Sequence, residues 1–263
     1  MGDKAKGFTP THGIVVQDSG DPYYMNRILI GTAATGLVRV EWVQARYGVI
    51  IPVNWANVLM YQPIPTYIPL RYLVDDAQNM IVREAINGGF EWLFLLEHDV
   101  CIQPDTLIRL NQYMREEKIP VVSGLYYSRS RPSEPLLFRG RGNSVFTDWK
   151  PGDKVWCDGI PTGCLLIHGA LLKAIWDDSP EYMVNGQVTR RVFETPHTTW
   201  FDVERNQFNS ITGTSDLAWC DKVMNGDYFK KAGFPEYQRK KYPFLCDTGI
   251  FCRHVNPDGE MFP

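Results

Sequence analysis

Between residues 27 and 123, short apolar runs alternate with stretches of helical periodicity, and few folds accept that alternation. Arg27-Ile-Leu-Ile-Gly-Thr32 is an apolar run stopped by small residues, and Leu37 to Ala45 fits a helix. Gly48-Val-Ile-Ile-Pro-Val53 reads as a second buried strand, followed by a proline-punctuated stretch to Pro69. Asp75 and Asp76 are placed to cap a helix running to about Ile86, with Met80, Ile81, Ala85 and Ile86 on its inner face and Asn87-Gly-Gly89 ending it. Glu91 to Leu96 is the strongest strand. Pro104 opens a helix through Glu117, striped by Leu107, Ile108, Leu110 and Met114, and Ile119 to Ser123 is another strand. Continuous apolar strands separated by helices imply an α/β fold: a mainly parallel sheet with helices on both faces. Such sheets bind ligands beyond the carboxyl ends of their strands.

The second half is less regular. From Tyr126 to Gly152 the pattern dissolves into Ser, Arg, Pro and Gly, a connection long enough to suggest a binding loop, and it carries Arg129, Arg131, Arg139 and Arg141. Gly163 to Ile167 reads as a strand, Ala170 to Trp176 and Ser215 to Met224 as helices, and Phe244 to His254 as a terminal strand or pair of strands. At 263 residues without an internal repeat, one domain is expected. A composition of 44% hydrophobic and 22% charged residues suits one large core. The net charge of -3 argues against a global electrostatic grip on nucleic acid or anionic membrane, so any bound phosphate must be held locally. Six cysteines without a C-x-x-C pair do not form a zinc ribbon and read as reduced core residues. The opening MGDKAKGFTPTHG lacks an apolar signal region, Lys6 breaks the myristoylation pattern, and no apolar run approaches the roughly 18 residues of a membrane span. A soluble, cytoplasmic chain is the expectation.

Glu97-His98-Asp99 stands where the strongest strand runs out, at the expected ligand edge. In an extended segment side chains alternate, which puts Glu97 and Asp99 on one side and His98 on the other. Two carboxylates on a rigid strand suit a hard divalent cation, Mg²⁺ or Mn²⁺, shared with substrate phosphates. The same pair would serve equally as a solvated strand end capping the Pro104 helix.

Residues Trp92 to Leu107 resemble the D-x-D segment of the GT-A-fold glycosyltransferases of the family 2 type: an apolar strand, the acidic motif, a spacer and a Pro-initiated helix. Five further stretches resemble that family in the same order: Ala77-Gln-Asn79, Val121 to Tyr127, Pro161 to Ile167, Thr214 to Cys220, and Asp247 to His254. The resemblance covers about residues 27 to 255. It implies a Rossmann-like GT-A domain in which about 27–125 bind a nucleotide sugar and about 126–255 form the acceptor and catalytic half, with a small acceptor-side region. Residues 1–26 and 256–263 would be tails. The implied activity is metal-dependent transfer of a sugar from a nucleoside diphosphate sugar to an acceptor hydroxyl on a glycan, lipid, protein or modified nucleic acid.

In that resemblance, Glu97, Asp99 and His254 hold the Mn²⁺ or Mg²⁺, while Thr32, Gln78, Asn79 and Glu97 contact the donor. Asp216 is the base, giving inversion. Two departures stand out: Glu97 replaces the first Asp of D-x-D, and Ser215-Asp216 replaces Glu-Asp. Two alternatives stay open. One is a nucleotidyltransferase, although Gly31 to Gly36 has no Lys and lacks the Gly-rich, basic signature of that class. The other is a non-catalytic sugar- or nucleotide-binding module with a degenerate site.

Overall fold

The structure is a computed structural model that describes residues 28–52, 64–140 and 145–263. Arg27, Val53, Arg141 and the expected 1–26 tail lie outside the described residues. The chain builds β1 (Ile28–Gly31), α1 (Val40–Tyr47), β2 (Thr66–Tyr67), α2 (Val74–Asn87), β3 (Trp92–Leu96), β4 (Val100–Cys101), α3 (Thr106–Glu116) and β5 (Val121–Leu125). It continues through β6 (Lys154–Cys157), β7 (Cys164–His168), α4 (Gly169–Asp178), β8 (Glu181–Val184), β9 (Gln187–Arg190), β10 (His197–Asp202) and β11 (Gln207–Thr212). It closes with α5 (Ser215–Asn225), α6 (Tyr228–Lys231), β12 (Phe244–Phe251), β13 (Arg253–Val255) and β14 (Met261–Phe262).

Seven strands form the central sheet in the order β2-β1-β3-β7-β5-β12-β6. β1 runs parallel to β2 and β3, and β5 parallel to β12. β7 lies antiparallel between β3 and β5, and β6 antiparallel on β12. Five of the seven strands therefore point one way. The apolar runs are continuous because both faces are covered. Leu29, Leu93 and Leu95 face Ile81 and Ala85 of α2, Leu172 of α4, Trp219 of α5 and Phe229 of α6. Ile28, Ile30, Trp92, Phe94 and Leu96 point the other way, toward Trp42 of α1 and Leu107, Leu110 and Met114 of α3. All six cysteines are buried.

Gly48 to Pro52 forms no strand: Ile50 and Ile51 are 56% and 48% exposed, and the backbone N–H of Ile50 bonds the carbonyl of Pro104 instead. A run of β-branched residues needs a neighbouring strand to pair with, and the place beside β1 is taken by Thr66–Tyr67. Asp75 and Asp76 occupy the first turn of α2 rather than its cap, which is Leu73. Their carboxylates accept from the Thr195 N–H at 3.0 Å and the Tyr182 hydroxyl at 2.8 Å, mooring the 182–195 segment to the helix.

Two hairpins, β8–β9 and β10–β11, were not anticipated. Both are largely exposed, so their strands have no inward apolar face to mark them. The first had a signal nonetheless: Asn185-Gly186 joins its strands with φ of 47° and 79°, the left-handed pair that a type I′ turn requires.

Candidate functional site

Thr32, Glu97 and Tyr126 directly follow β1, β3 and β5, so all three stand at the carboxyl edge of the sheet. Because β7 runs the opposite way, its amino end brings Thr162 and Gly163 to the same edge, and the Glu97 N–H donates to the Gly163 carbonyl at 3.0 Å. Two glycines permit this packing. A Cβ on Gly31 would stand 2.2 Å from the Ile81 side chain, so glycine lets α2 lie against the end of β1. A Cβ on Gly163 would stand 2.3 Å from the Tyr126 hydroxyl, which accepts the Gly163 N–H at 2.7 Å.

His254 reaches the acidic turn through a small sheet of its own. β13 pairs antiparallel with β4, setting Arg253 opposite Cys101 and His254 opposite Val100. The Val255 N–H donates to the Asp99 carbonyl at 2.8 Å. One ligand atom from each of Glu97, Asp99 and His254 lies within 4.8 Å of the others. Strand alternation is not what brings the two carboxylates together. The Val100 N–H donates to the Glu97 carbonyl at 3.2 Å, so residues 97–100 form a turn that folds Asp99 back beside Glu97. His98 is held away, its Nδ1 donating to the Ala33 carbonyl at 3.1 Å.

The electrostatics of this corner are unusual. Burial pushes the Glu97 carboxyl up to about 7, reinforced by the charges of Asp99 and Asp216 and opposed by a hydrogen bond from Thr162 and the charge of Arg129. The Thr162 hydroxyl donates to Glu97 Oε1 at 3.0 Å, and Gln78 Nε2 donates to Thr162 Oγ1 at 3.1 Å, a relay that braces the carboxylate from α2. His254 Nδ1 lies 2.5 Å from the Tyr127 carbonyl. A carbonyl only accepts, so Nδ1 carries the proton and Nε2 keeps its lone pair. Burial lowers the His254 pKa against the pull of Asp99, which favours that neutral form. Tyr126 packs edge-on against the imidazole at 4.8 Å between ring centres.

Two carboxylates and an imidazole with a bare nitrogen form a donor set for a hard divalent cation. Arg129 Nη1 stands 3.0 Å from Asp99 Oδ2, bringing a fixed positive charge to the same place.

The other expected site residues divide. Asp216 lies in the first turn of α5 behind Thr214 at the N-cap, and its charge is felt by both Glu97 and Tyr126. Thr32 and Gln78 are buried, and Thr32 Oγ1 and Gln78 Oε1 have no partner among the described residues. Asn79 does not join them. It is 1% exposed, and its amide donates to the Phe193 carbonyl and the Tyr182 hydroxyl and accepts the Phe193 N–H. Through these bonds Asn79 clamps the segment after β9 onto α2.

Of the loop arginines described, only Arg129 pairs with the acidic turn. Arg131 pairs with Glu260, and Arg139 donates to the Trp156 carbonyl while lying over the Phe146 and Tyr242 rings. No helix among the described residues is long and apolar enough to cross a membrane.

No protein-family model matches the chain, and no curated protein matches it. Among solved structures, the crystal structure of A197 from STIV is similar to it with a TM-score of 0.50 and 14% sequence identity, covering 90% of this chain and 93% of that one. A likeness at that identity concerns the fold alone.

Proposed function

We propose that the chain is a glycosyltransferase of the GT-A type that moves a sugar from a nucleoside diphosphate sugar to an acceptor hydroxyl with the help of Mn²⁺ or Mg²⁺. One observation carries this reading. Glu97 and Asp99, together with His254 from far along the chain, offer ligand atoms within 4.8 Å of one another at the carboxyl edge of the sheet, and Asp216's charge reaches the same corner.

Breaking a bond to a diphosphate builds negative charge on the leaving oxygens, and a bound divalent cation would supply Lewis-acid stabilisation there. Asp99 and His254 Nε2 would hold it, the imidazole kept in the right tautomer by the Tyr127 carbonyl. Glu97 titrates near neutrality, so it can ligate as a carboxylate or donate a hydrogen bond to a ribose hydroxyl as an acid. The buried Thr32 hydroxyl and Gln78 carbonyl oxygen supply hydrogen-bonding atoms for the nucleoside beside it. Asp216 accepts the acceptor's proton as that hydroxyl attacks, and attack opposite the departing diphosphate inverts the anomeric centre.

Incubation with Mn²⁺ and a panel of nucleoside diphosphate sugars tests the proposal. Slow, metal-dependent hydrolysis of one donor is the supporting result. Pyrophosphate release from nucleoside triphosphates would favour a nucleotidyltransferase, and donor binding with no turnover in any acceptor screen would favour a non-catalytic module.

A further inference from the structure

The strongest positive charge at this corner belongs to the chain itself. Arg129 lies two residues beyond Tyr127, whose carbonyl holds His254, and its guanidinium pairs with Asp99 at 3.0 Å. It acts on the whole cluster, because its charge also opposes protonation of Glu97 and of His254. The two partners differ in freedom: the Asp99 side chain is 18% exposed and that of Arg129 is 44% exposed. The backbone around Arg129 is fixed, with the Ser128 N–H donating to the Glu134 carbonyl and Ser133 Oγ to the Ser128 carbonyl. The guanidinium can therefore move while its base stays in place.

A guanidinium and a divalent cation on the same carboxylate repel one another. Released from Asp99, a planar fork of N–H donors beside a cation site is suited to bidentate capture of phosphate oxygens. We propose that Arg129 and the divalent cation exchange on Asp99, and that the displaced guanidinium passes to the diphosphate of the donor. This rests on reading Glu97, Asp99 and His254 as a cation site. Its consequence is positive coupling: cation and nucleoside diphosphate each tighten the binding of the other through one side chain. Without the cation, Arg129 offsets the mutual repulsion of Glu97, Asp99 and Asp216.

The test measures Mn²⁺ binding by the loss of the free-ion electron paramagnetic resonance signal, for the unaltered protein and for R129Q and R129K, with circular dichroism checking that each is folded. R129Q should bind Mn²⁺ alone roughly 1.4–5-fold more tightly, the range expected for removing a partly exposed competing ion pair. With the Mn²⁺–nucleotide complex measured without protein subtracted, addition of ADP, CDP, GDP or UDP in turn should tighten Mn²⁺ binding to the unaltered protein for at least one nucleotide, and in R129Q that gain should shrink to what direct contact between cation and diphosphate supplies. R129K keeps the charge but not the fork, so its affinity for Mn²⁺ alone should stay near that of the unaltered protein while the nucleotide gain shrinks. Equal Mn²⁺ affinity in R129Q and the unaltered protein, or a nucleotide gain undiminished in R129Q, overturns the exchange and leaves the cation site standing. No Mn²⁺ binding by any of the three proteins overturns the cation site and the exchange together.

Discussion

The backbone N–H of Val255 donates to the carbonyl of Asp99 at 2.8 Å and, with the pairing of β13 on β4, sets His254 beside a turn 155 residues earlier in the chain. Asp99→Ala keeps the bond, since it is made by the backbone, and removes only the carboxylate. Metal-dependent binding of the donor should then be lost while the fold persists. Calorimetry with Mn²⁺ and a nucleoside diphosphate measures this, and an unchanged affinity would remove Asp99 from the ligand set.

Asp216→Asn takes away the proposed base without taking away a proposed cation ligand. Donor affinity should stay within about twofold, and transfer should fall by roughly 10²–10⁴, the usual worth of a positioned base. Single-turnover kinetics separates the two effects. Near-normal transfer in this variant would point to another base or to a retaining mechanism.

Glu97 ties cation binding to pH. Its folded-state value of about 7 lies above the ordinary 4.5, so between those values the folded chain holds a proton that the unfolded chain has released. Stability of the cation-free protein should accordingly fall as pH rises from 4.5 through about 7, and Mn²⁺ affinity should rise over the upper part of that window because the ion displaces the proton. Glu97→Gln should flatten both profiles. Urea titrations and Mn²⁺ titrations between pH 5.5 and 8, two limits chosen at roughly 1–1.5 units either side of the midpoint, record them.

Asn79→Ala separates structure from binding in the opposite sense. It leaves the buried N–H and carbonyl of Phe193 without partners, which should cost roughly 2–6 kcal/mol of stability, since each buried unsatisfied group costs about 1–3 kcal/mol. Donor affinity of the protein that remains folded should not change. A selective loss of donor affinity at normal stability would return Asn79 to the site.

The parts of the fold readable in the sequence were those with two covered faces or a full helical stripe, because burial writes itself as composition. Trp92 to Leu96 and the α3 stripe of Leu107, Leu110 and Met114 are of this kind. Where a segment faces solvent on both sides, as Trp200 and Phe208 do in β10 and β11, hydrophobicity no longer tracks structure. Gly48 to Pro52 misled for the converse reason: a strand-like composition says nothing about whether a neighbour is present to pair with.

At the site, Glu97 and Asp99 were readable because the acidic residues follow directly on a buried strand. The turn that unites them was not, since Val100 marks it only through a backbone bond. The Gln78–Thr162–Glu97 relay and the Arg129–Asp99 pair join residues from separate elements, and no local pattern announces them. The bonds of Asn79 to Phe193 are equally silent, because a buried amide looks the same in sequence whether it serves a ligand or a carbonyl.

The reversed direction of β7 makes the hydrophobic ladder a ruler for the chemistry above it. Leu96 sits opposite Cys164, so the hydroxyl of Thr162 meets Glu97 only while Leu165 and Ile167 stay on the face that α2 and α4 cover. A slip of one residue would turn those side chains outward, and the core forbids it. The segment from Gly159 to Thr162 is held as firmly, because Ile160 is fully buried in the same core and Gly159 exchanges backbone hydrogen bonds with Phe138. In this chain the hydroxyl that faces Glu97 is therefore positioned by core packing on both sides of it, and a change in the length of the loop before β7 would cost stability as well as the Thr162–Glu97 bond.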